Sequence, residues 1–398
     1  MKSLKFKPGL FPSLIKIPGS KSYANRALIL AALKKSKFAI HDLPESTDVA
    51  FLVDCLRQIG PRIHFEGRTC IVEGSFPESE LKGCRVEVGE GGTTARFLAT
   101  LLLRGKASYT LILGDRLKAR PWDEFIELVR KFGGKAHLQG NELTIQGPVT
   151  LPDVLHVDCS RTTQFASGLQ LAFSDQNVKV VPVGMDSSES YWKMTQEMIA
   201  KISGPDSYSV PLDWSSASYP LAFGALHQEI FFSDLFEDSF QADSKFLHVL
   251  TSLGAVTKTN DGLKIHPLTN PHSVSMDVHD CLDLVPALSF LLAHIPGQHE
   301  LWGIENLAHK ESHRLKEILN LLKSFERECS VADNALKITG SDKEIQHEKN
   351  LKMPDDHRMV MTGTLFLLHH SGGEISPADA VAKSYPRFFE LLASSRIP

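Results

Sequence analysis

The chain has 398 residues, 42% hydrophobic and 23% charged, with a formal net charge of −4 at pH 7. That length exceeds what one hydrophobic core ordinarily holds, so two domains are expected. The slight acidity excludes a general nucleic-acid binder, so any basic cluster has a local purpose.

In chain order, the opening "MKSLKFKPGLFPSLIKI" has cations but no apolar core, so no signal peptide is expected. "PGSKSYANRALILAAL" follows; its second half reads as a buried helix, and its first half sets Ser20, Lys21, Ser22, Asn25 and Arg26 at that helix's start. "DVAFLVDCLRQIG" has apolar residues at helical spacing and ends in Gly, and "RIHFEG" and "CIVEG" follow as two short strands on a tight turn. The same order returns at "PWDEFIELVRKFGGKAHLQGNELTIQG", at "YWKMTQEMIAKIS", at "SKFLHVLTSLGAVTKTNDGLKIHP", and at "ESHRLKEILNLLKSF" with "CSVADNALKITG"; a last helix, "YPRFFELLA", is expected to close the chain. Between these lie apolar helices beginning at "GSKSYANRALILAAL", "GGTTARFLATLLL", "RTTQFASGLQLAF", "SSASYPLAFGALH", "CLDLVPALSFLLAH" and "DHRMVMTGTLFLLHH", each followed by a strand. The pattern is six copies of one helix–strand–helix–hairpin unit, divided three and three between two domains. The longest apolar run, Leu284 to Ile295, is too short to cross a bilayer.

The N-termini of the six apolar helices carry Ser, Thr, Asp or Gly, which suits capping of unpaired N–H groups. Capping does not account for Lys21, Arg26, Arg96 or Arg358, whereas helix N-terminal N–H groups beside a cation make an anion site. Several such ends together would suit a multiply anionic ligand. "PGSKS" lacks the P-loop spacing, "GEGGTT" lacks the third Gly of a dinucleotide fingerprint, and no H-E-x-x-H or paired-cysteine set is present, so no tight metal site is expected. His369-His370 reads as a surface pair at a helix end, and the six cysteines as buried free thiols of a reducing cytosol.

The motifs "PGSKSYANRALILAAL", "GGTTARF", "DRLKARP", "TTQFASGLQ", "HKESHRL", "DHRMVM" and "AKSYPRFF", in this order from about Lys16 to Leu392, make the chain resemble the EPSP synthases. That family transfers the enolpyruvyl group of phosphoenolpyruvate (PEP) to the 5-hydroxyl of shikimate 3-phosphate, on the route to chorismate and the aromatic amino acids. The resemblance implies an α/β, two-domain enolpyruvyl-transferase fold of six βαβαββ repeats, three per domain. Residues 1–17 with 213–398 would form a discontinuous domain carrying PEP contacts and the catalytic carboxylates. Residues 18–212 would form the shikimate 3-phosphate domain, with the active site in the cleft between and the halves closing on substrate. It further implies no metal or nucleotide cofactor, small-molecule substrates, no nucleic-acid or membrane partner, a monomer, and a cytoplasmic setting.

Carried over by position, the resemblance places Ser22, Arg26, Thr162, Thr163, Gln164, Ser188 and Tyr191 around shikimate 3-phosphate, with Asn306 and Lys310 from the other domain. It places Gly92, Arg120, Gln164, Arg314, Arg358 and Lys383 around PEP, with Lys21 touching both substrates. Arginine forks suit carboxylate and phosphate, and Gly suits a close backbone approach. Asp283 matches the position that binds the shikimate hydroxyls and serves as base, Glu311 the position that exchanges a proton with the PEP methylene, and Lys21 an assisting donor. Each carboxylate also has a plainer reading, Asp283 as the N-cap of its helix and Glu311 as a first-turn residue favoured by the helix dipole.

Four positions depart from the family pattern: Glu90 in place of Asn, Ala308 in place of Arg, His313 in place of Asp, and Leu282 in place of Pro. Glu90 would repel an anion unless it is paired or turned away. Two alternatives are a UDP-N-acetylglucosamine enolpyruvyl transferase, disfavoured because "GDRLKARP" lacks the reactive Cys common in that family, and a non-catalytic anion-binding homologue.

Overall fold

The computed structural model describes residues 2–185 and 188–397, apart from the side chain of residue 309. The chain divides into two compact units, Gly19–Pro211 and Met1–Pro18 with Leu212–Pro398.

Twelve α-helices are described. Gly19–Pro211 holds α1 (Lys21–Ala31), α2 (Thr47–Ile59), α3 (Gly92–Leu102), α4 (Asp115–Lys118), α5 (Asp123–Lys131), α6 (Gln164–Ala172) and α7 (Glu189–Ile202). The other unit holds α8 (Trp214–His227), α9 (Phe246–Ser252), α10 (Val285–Ala293), α11 (Arg314–Ser324) and α12 (His357–His369). The apolar helices α1, α3, α6, α8, α10 and α12 are interior elements; all nine residues of α10 are buried. A helix apolar on all sides has no face to offer water, so it sits inside. The helices α2, α5 and α11 instead show one buried stripe and one polar face.

Five sheets repeat one pattern of four strands, in which a parallel pair continues into two antiparallel strands. In Gly19–Pro211 one example orders Arg85–Gly89, Ser108–Leu113, Glu142–Gln146 and Lys135–Gln139, with Tyr109 opposite Ile145 and Leu111 opposite Leu143. In the other unit Ser275–Asp277, Gly297–Trp302, Ala335–Gly340 and Glu328–Ala332 do the same. In both, the parallel pair flanks a buried helix in the chain, α3 or α10, as a βαβ crossover requires.

Three features differ from the sequence expectation. The unit around α6 has only its parallel pair, Val154–Asp158 with Lys179–Val183, and the strand after α7, Ser207–Ser209, joins Phe38–His41 in another sheet instead of forming a hairpin. The segment "YPRFFELLA" is not an α-helix but contains a 3-10 turn, Phe388–Glu390. Pro386 disfavours helical backbone at Tyr385 and offers no N–H, and the chain soon enters the strand Arg396–Ile397. His369-His370 is not a surface pair: His370 is buried, and both rings lie against His294 at centroid distances of 3.8 Å (His369) and 5.1 Å (His370).

Of the six cysteines expected to be buried, Cys55, Cys70, Cys159 and Cys281 are, while Cys84 and Cys329 are only half-buried; burial pushes Cys70 and Cys159 up to about 11. Among the described residues no helix is long and apolar enough to cross a membrane.

Candidate active site

Gly19–Pro211 gathers the N-termini of α1, α3 and α6. None of the three is capped by its own N-cap side chain, although Ser20 and Thr163 could have done so. Lys21 Nζ pairs with Asp48 Oδ2 at 2.7 Å, and the Asp48 carbonyl accepts from Thr94 Oγ1 at 2.9 Å, which ties α1 to α3. A Cβ on Gly92 would lie 2.6 Å from Arg120 Nη1 and 3.2 Å from Gln164 Oε1, so only glycine lets these groups meet over the start of α3. Gln164 is held from two sides: Arg96 Nη1 donates to its Oε1 at 2.6 Å and its Nε2 donates to Thr93 Oγ1 at 3.0 Å. The Gln164 N–H donates to Thr162 Oγ1 at 3.3 Å, while Thr163 is buried.

Arg26, expected beside shikimate 3-phosphate, has its guanidinium engaged within its own unit. It is buried, with Nε donating to Thr195 Oγ1, Nη1 to the Ser22 carbonyl and Nη2 to the Tyr191 carbonyl, each at 2.9 Å. Burial lowers its pKa to about 10. The guanidinium thus ties α1 to α7 and brings Ser22 and Tyr191 together. Ser188, one residue before α7, has a left-handed backbone at φ 67°, an uncommon state for a residue with a side chain.

The other unit builds its cluster around Arg314. This residue was expected to face PEP, but its side chain is 0% exposed and every nitrogen of its fork is bound. Nη1 donates to Asp283 Oδ1 at 2.6 Å, Nε to Asp356 Oδ2 at 2.8 Å, and Nη2 to Glu311. Arg314 therefore orients both expected catalytic carboxylates and presents no fork to a ligand in this structure. Arg358 Nη2 donates to Asp283 Oδ2 at 3.1 Å, and Lys310 Nζ lies 3.4 Å from Asp283 Oδ1. Burial alone would raise the Asp283 carboxyl, yet Arg358, Lys310 and Arg314 together hold it well below the usual carboxylate range. For Arg358 burial acts downward, but Asp283, Tyr219 and Asp243 raise its pKa well above the ordinary value.

The plainer readings of the two carboxylates do not hold. The N-cap of α10 is Leu284, not Asp283, and α11 begins at Arg314, so Glu311 precedes the helix instead of sitting in its first turn. His313 caps α11 by accepting the Lys316 N–H at Nδ1, 3.3 Å, so the imidazole performs there the duty an Asp would. Lys383 Nζ sits on Asp355, 3.0 Å from its carbonyl and 3.2 Å from Oδ2, and Asn306 lies in the 3-10 turn Glu305–His309 just before Lys310.

Four residues of this arrangement were not among the expected site residues. Asp48 and Asp356 stand at helix starts, Asp356 within the quoted "DHRMVM", and Arg96 was noted only as a cation. Asp243, in "QADS", is buried with Ser215 Oγ donating to Oδ2 and no hydrogen-bond partner for Oδ1 among the described residues. Burial, then the neighbouring charge of Asp283, raises its pKa to about 7. No pattern in the sequence marks that residue.

Two sheet-bearing units built from a repeated βαβαββ motif, with arginine, lysine and carboxylate gathered at helix N-termini, define the enolpyruvyl-transferase class. The fold matches the solved enolpyruvyl transferase NikO of Streptomyces tendae, with a TM-score of 0.78, 14% identity and coverage of 100% of this chain and 99% of that one. It also matches the EPSP synthase of Acinetobacter baumannii, with a TM-score of 0.76, 19% identity and coverage of 99% and 98%. Residues 10–392 match the family model for EPSP synthase (3-phosphoshikimate 1-carboxyvinyltransferase), and the chain belongs to that family. A 3-phosphoshikimate 1-carboxyvinyltransferase of Thermococcus kodakarensis is 30% identical over 94% of each chain, and one of Vibrio vulnificus is 27% identical over 96% of this chain and 95% of its own.

Proposed function

We propose that this chain is a transferase of the shikimate pathway that moves the enolpyruvyl group of PEP to the 5-hydroxyl of shikimate 3-phosphate, giving 5-enolpyruvylshikimate 3-phosphate and phosphate. The observation that carries the reading is the pair of carboxylates, Asp283 and Glu311, held on one buried arginine beside Arg358 and Lys310. Asp283 takes the proton of the 5-hydroxyl. Glu311 delivers a proton to the PEP methylene as the carbon–oxygen bond forms, and takes one back from the resulting methyl when phosphate leaves the tetrahedral intermediate. Lys21 stabilises charge on the oxygen between the two substrates. Ser22, Thr162, Thr163, Gln164, Ser188, Tyr191, Asn306 and Lys310 serve shikimate 3-phosphate. Gly92, Arg120, Gln164, Arg358 and Lys383 serve PEP. Arg26 and Arg314 act by holding their neighbours. The reaction calls for no cofactor, and the enzyme works as a cytoplasmic monomer.

The test is phosphate release from PEP with shikimate 3-phosphate, with UDP-N-acetylglucosamine, and with neither. Release dependent on shikimate 3-phosphate is expected; release only with the sugar nucleotide moves the enzyme to the sister activity, and none with either sinks the reading. Arg358→Ala is expected to raise the KM for PEP and lower kcat/KM about tenfold to a hundredfold, the size of a lost charge-assisted hydrogen bond. Steady-state kinetics showing a defect in shikimate 3-phosphate alone would contradict that placement.

A further inference from the structure

Glu90 is the departure that puts an anion beside the expected PEP groups, and the structure gives it a partner. The Leu117 N–H donates to Glu90 Oε2 at 3.1 Å, with the Arg116 N–H at the limit of reach, 3.5 Å from Oε1. These are N–H groups of the first turn of α4, a helix of only four residues (Asp115–Lys118). So short a helix has almost no stability of its own and depends on what holds its ends.

Leu117 is the centre of the strap that follows. Its carbonyl accepts from the Arg120 N–H at 3.2 Å and from Trp122 Nε1 at 3.1 Å. The Arg120 guanidinium then reaches back over Gly92, where the space for a Cβ is taken by Nη1. A second glycine supports the same reading. A Cβ on Gly114 would overlap the Glu90 carboxyl group, yet Gly114 has φ −65° and ψ 162°, a conformation any residue adopts. Glycine is needed there for the carboxylate, not for the backbone.

From this geometry we infer that Glu90 is a positioning residue: it anchors the α4 strap through Leu117 and thereby sets the Arg120 guanidinium over the start of α3, tuning PEP affinity. The inference rests on the proposed PEP role of Arg120. It opposes the simpler expectation for a carboxylate near an anion site, and the two predict opposite signs. If Glu90 repels PEP, removing its charge tightens binding. If Glu90 holds the strap, removing its oxygens weakens binding.

The experiment is steady-state kinetics of Glu90→Ala, Glu90→Gln, Gly114→Ala and the double variant E90A/G114A, with hydrogen exchange at the Leu117 and Arg120 amides. E90A is expected to raise the PEP KM about tenfold, with kcat and the shikimate 3-phosphate KM within about threefold, the effect of one charge-assisted hydrogen bond. E90Q keeps an acceptor for the Leu117 N–H and is expected to restore most of the affinity. G114A displaces the carboxylate without deleting it, so it should raise the PEP KM alone and change nothing further in the E90A background. Exchange at Leu117 should quicken in E90A and G114A and return toward the wild-type rate in E90Q. A lower PEP KM in E90A or E90Q, an equal shift in the shikimate 3-phosphate KM, or additive single variants overturns the inference. Should the wild-type protein release no phosphate from PEP, the function reading fails by itself. The exchange rates still decide whether Glu90 anchors the strap, and unchanged exchange in E90A overturns that too.

Discussion

Asp283→Asn is expected to lower turnover about a thousandfold, within the range a lost general base costs. The KM for PEP is expected to stay level or fall. Asparagine keeps the size of the side chain and one oxygen for Arg314 or Arg358, but it removes the charge and the basicity. Asp283 sits among Arg314, Arg358 and Lys310, at 2.6, 3.1 and 3.4 Å. Those cations favour its ionised form strongly enough to overcome burial, so in the free protein it is a weak base. An anionic substrate that draws off Arg358 or Lys310 relaxes that hold and restores basicity when it is needed. Removing the aspartate charge leaves the same cations less satisfied, so an anion should bind at least as well. Because the folded pKa lies below the usual carboxylate value, Asp283 stays ionised at every pH above that value. The acid limb of kcat/KM above about pH 4 should therefore not come from this group. Single-turnover phosphate release at saturating substrates is the measurement. Turnover within about threefold of wild type, or a raised PEP KM with kcat intact, would remove Asp283 from the base role.

The repeat architecture was legible because each unit uses two different patterns. Helices such as α3 and α10 are apolar on every side, and the hairpins announce themselves by Gly- and Asn-bearing turns between alternating strands. The strand Ser207–Ser209 was not legible: three residues carry no periodicity, and its partner Phe38–His41 lies far back in the chain. The placement of candidate residues was legible at helix starts, where the structure has Lys21, Gly92, Gln164 and Arg358. It was not legible where direction matters. A cation near the start of a helix looks the same whether it faces a ligand or ties two elements together, and Arg26 and Arg314 do the second. Most of the groups that decide this, Thr195 and the Tyr191 carbonyl for Arg26 and Asp283 and Asp356 for Arg314, lie far off in the chain and show no fixed spacing to their partners.

The same non-locality hid a cluster of four histidines from three helix ends, and it should make the unit containing α8, α10 and α12 acid-labile. His294 Nδ1 donates to the Phe290 carbonyl at 2.7 Å, which leaves Nε2 as an acceptor. His370 Nδ1 accepts the Ile345 N–H at 3.1 Å, so its proton is on Nε2, aimed at His294 Nε2 3.1 Å away. His227 Nε2 and His369 Nδ1 share one proton across 2.9 Å. His294, His369 and His370 bring ring nitrogens within 4.8 Å of one another, a spacing that could suit a metal, but the His294 and His370 nitrogens are already committed to this neutral network. Among the described residues, the charged groups that act most on His294, His369 and His370 are Arg327 and, for His370, Lys349, both cations that oppose a gained proton. Burial pushes His227 and His370 down to about 4 and His369 to about 2, and holds His294 well below its ordinary value. In the unfolded chain the same groups titrate near 6.5. Between those values the unfolded state binds more protons, so stability is retained above about pH 6.5 and is lost as pH falls toward 4. Each imidazole approaches about 1.4 kcal/mol per pH unit well below 6.5 and gives about 1 kcal/mol between pH 6.5 and 5.5, and with His227 and His369 discounted because they are only partly buried, a loss of about 3 kcal/mol over that unit is expected for the cluster. Hydrogen exchange of α10 and α12 amides across that range reads this unit by itself. His227→Gln with His369→Gln keeps a donor and an acceptor but removes the two less buried titrating sites, and should make the acid slope about a third shallower. Protection that is flat to about pH 5.5, or a slope unchanged in the double variant, would show that the cluster does not set the acid limit.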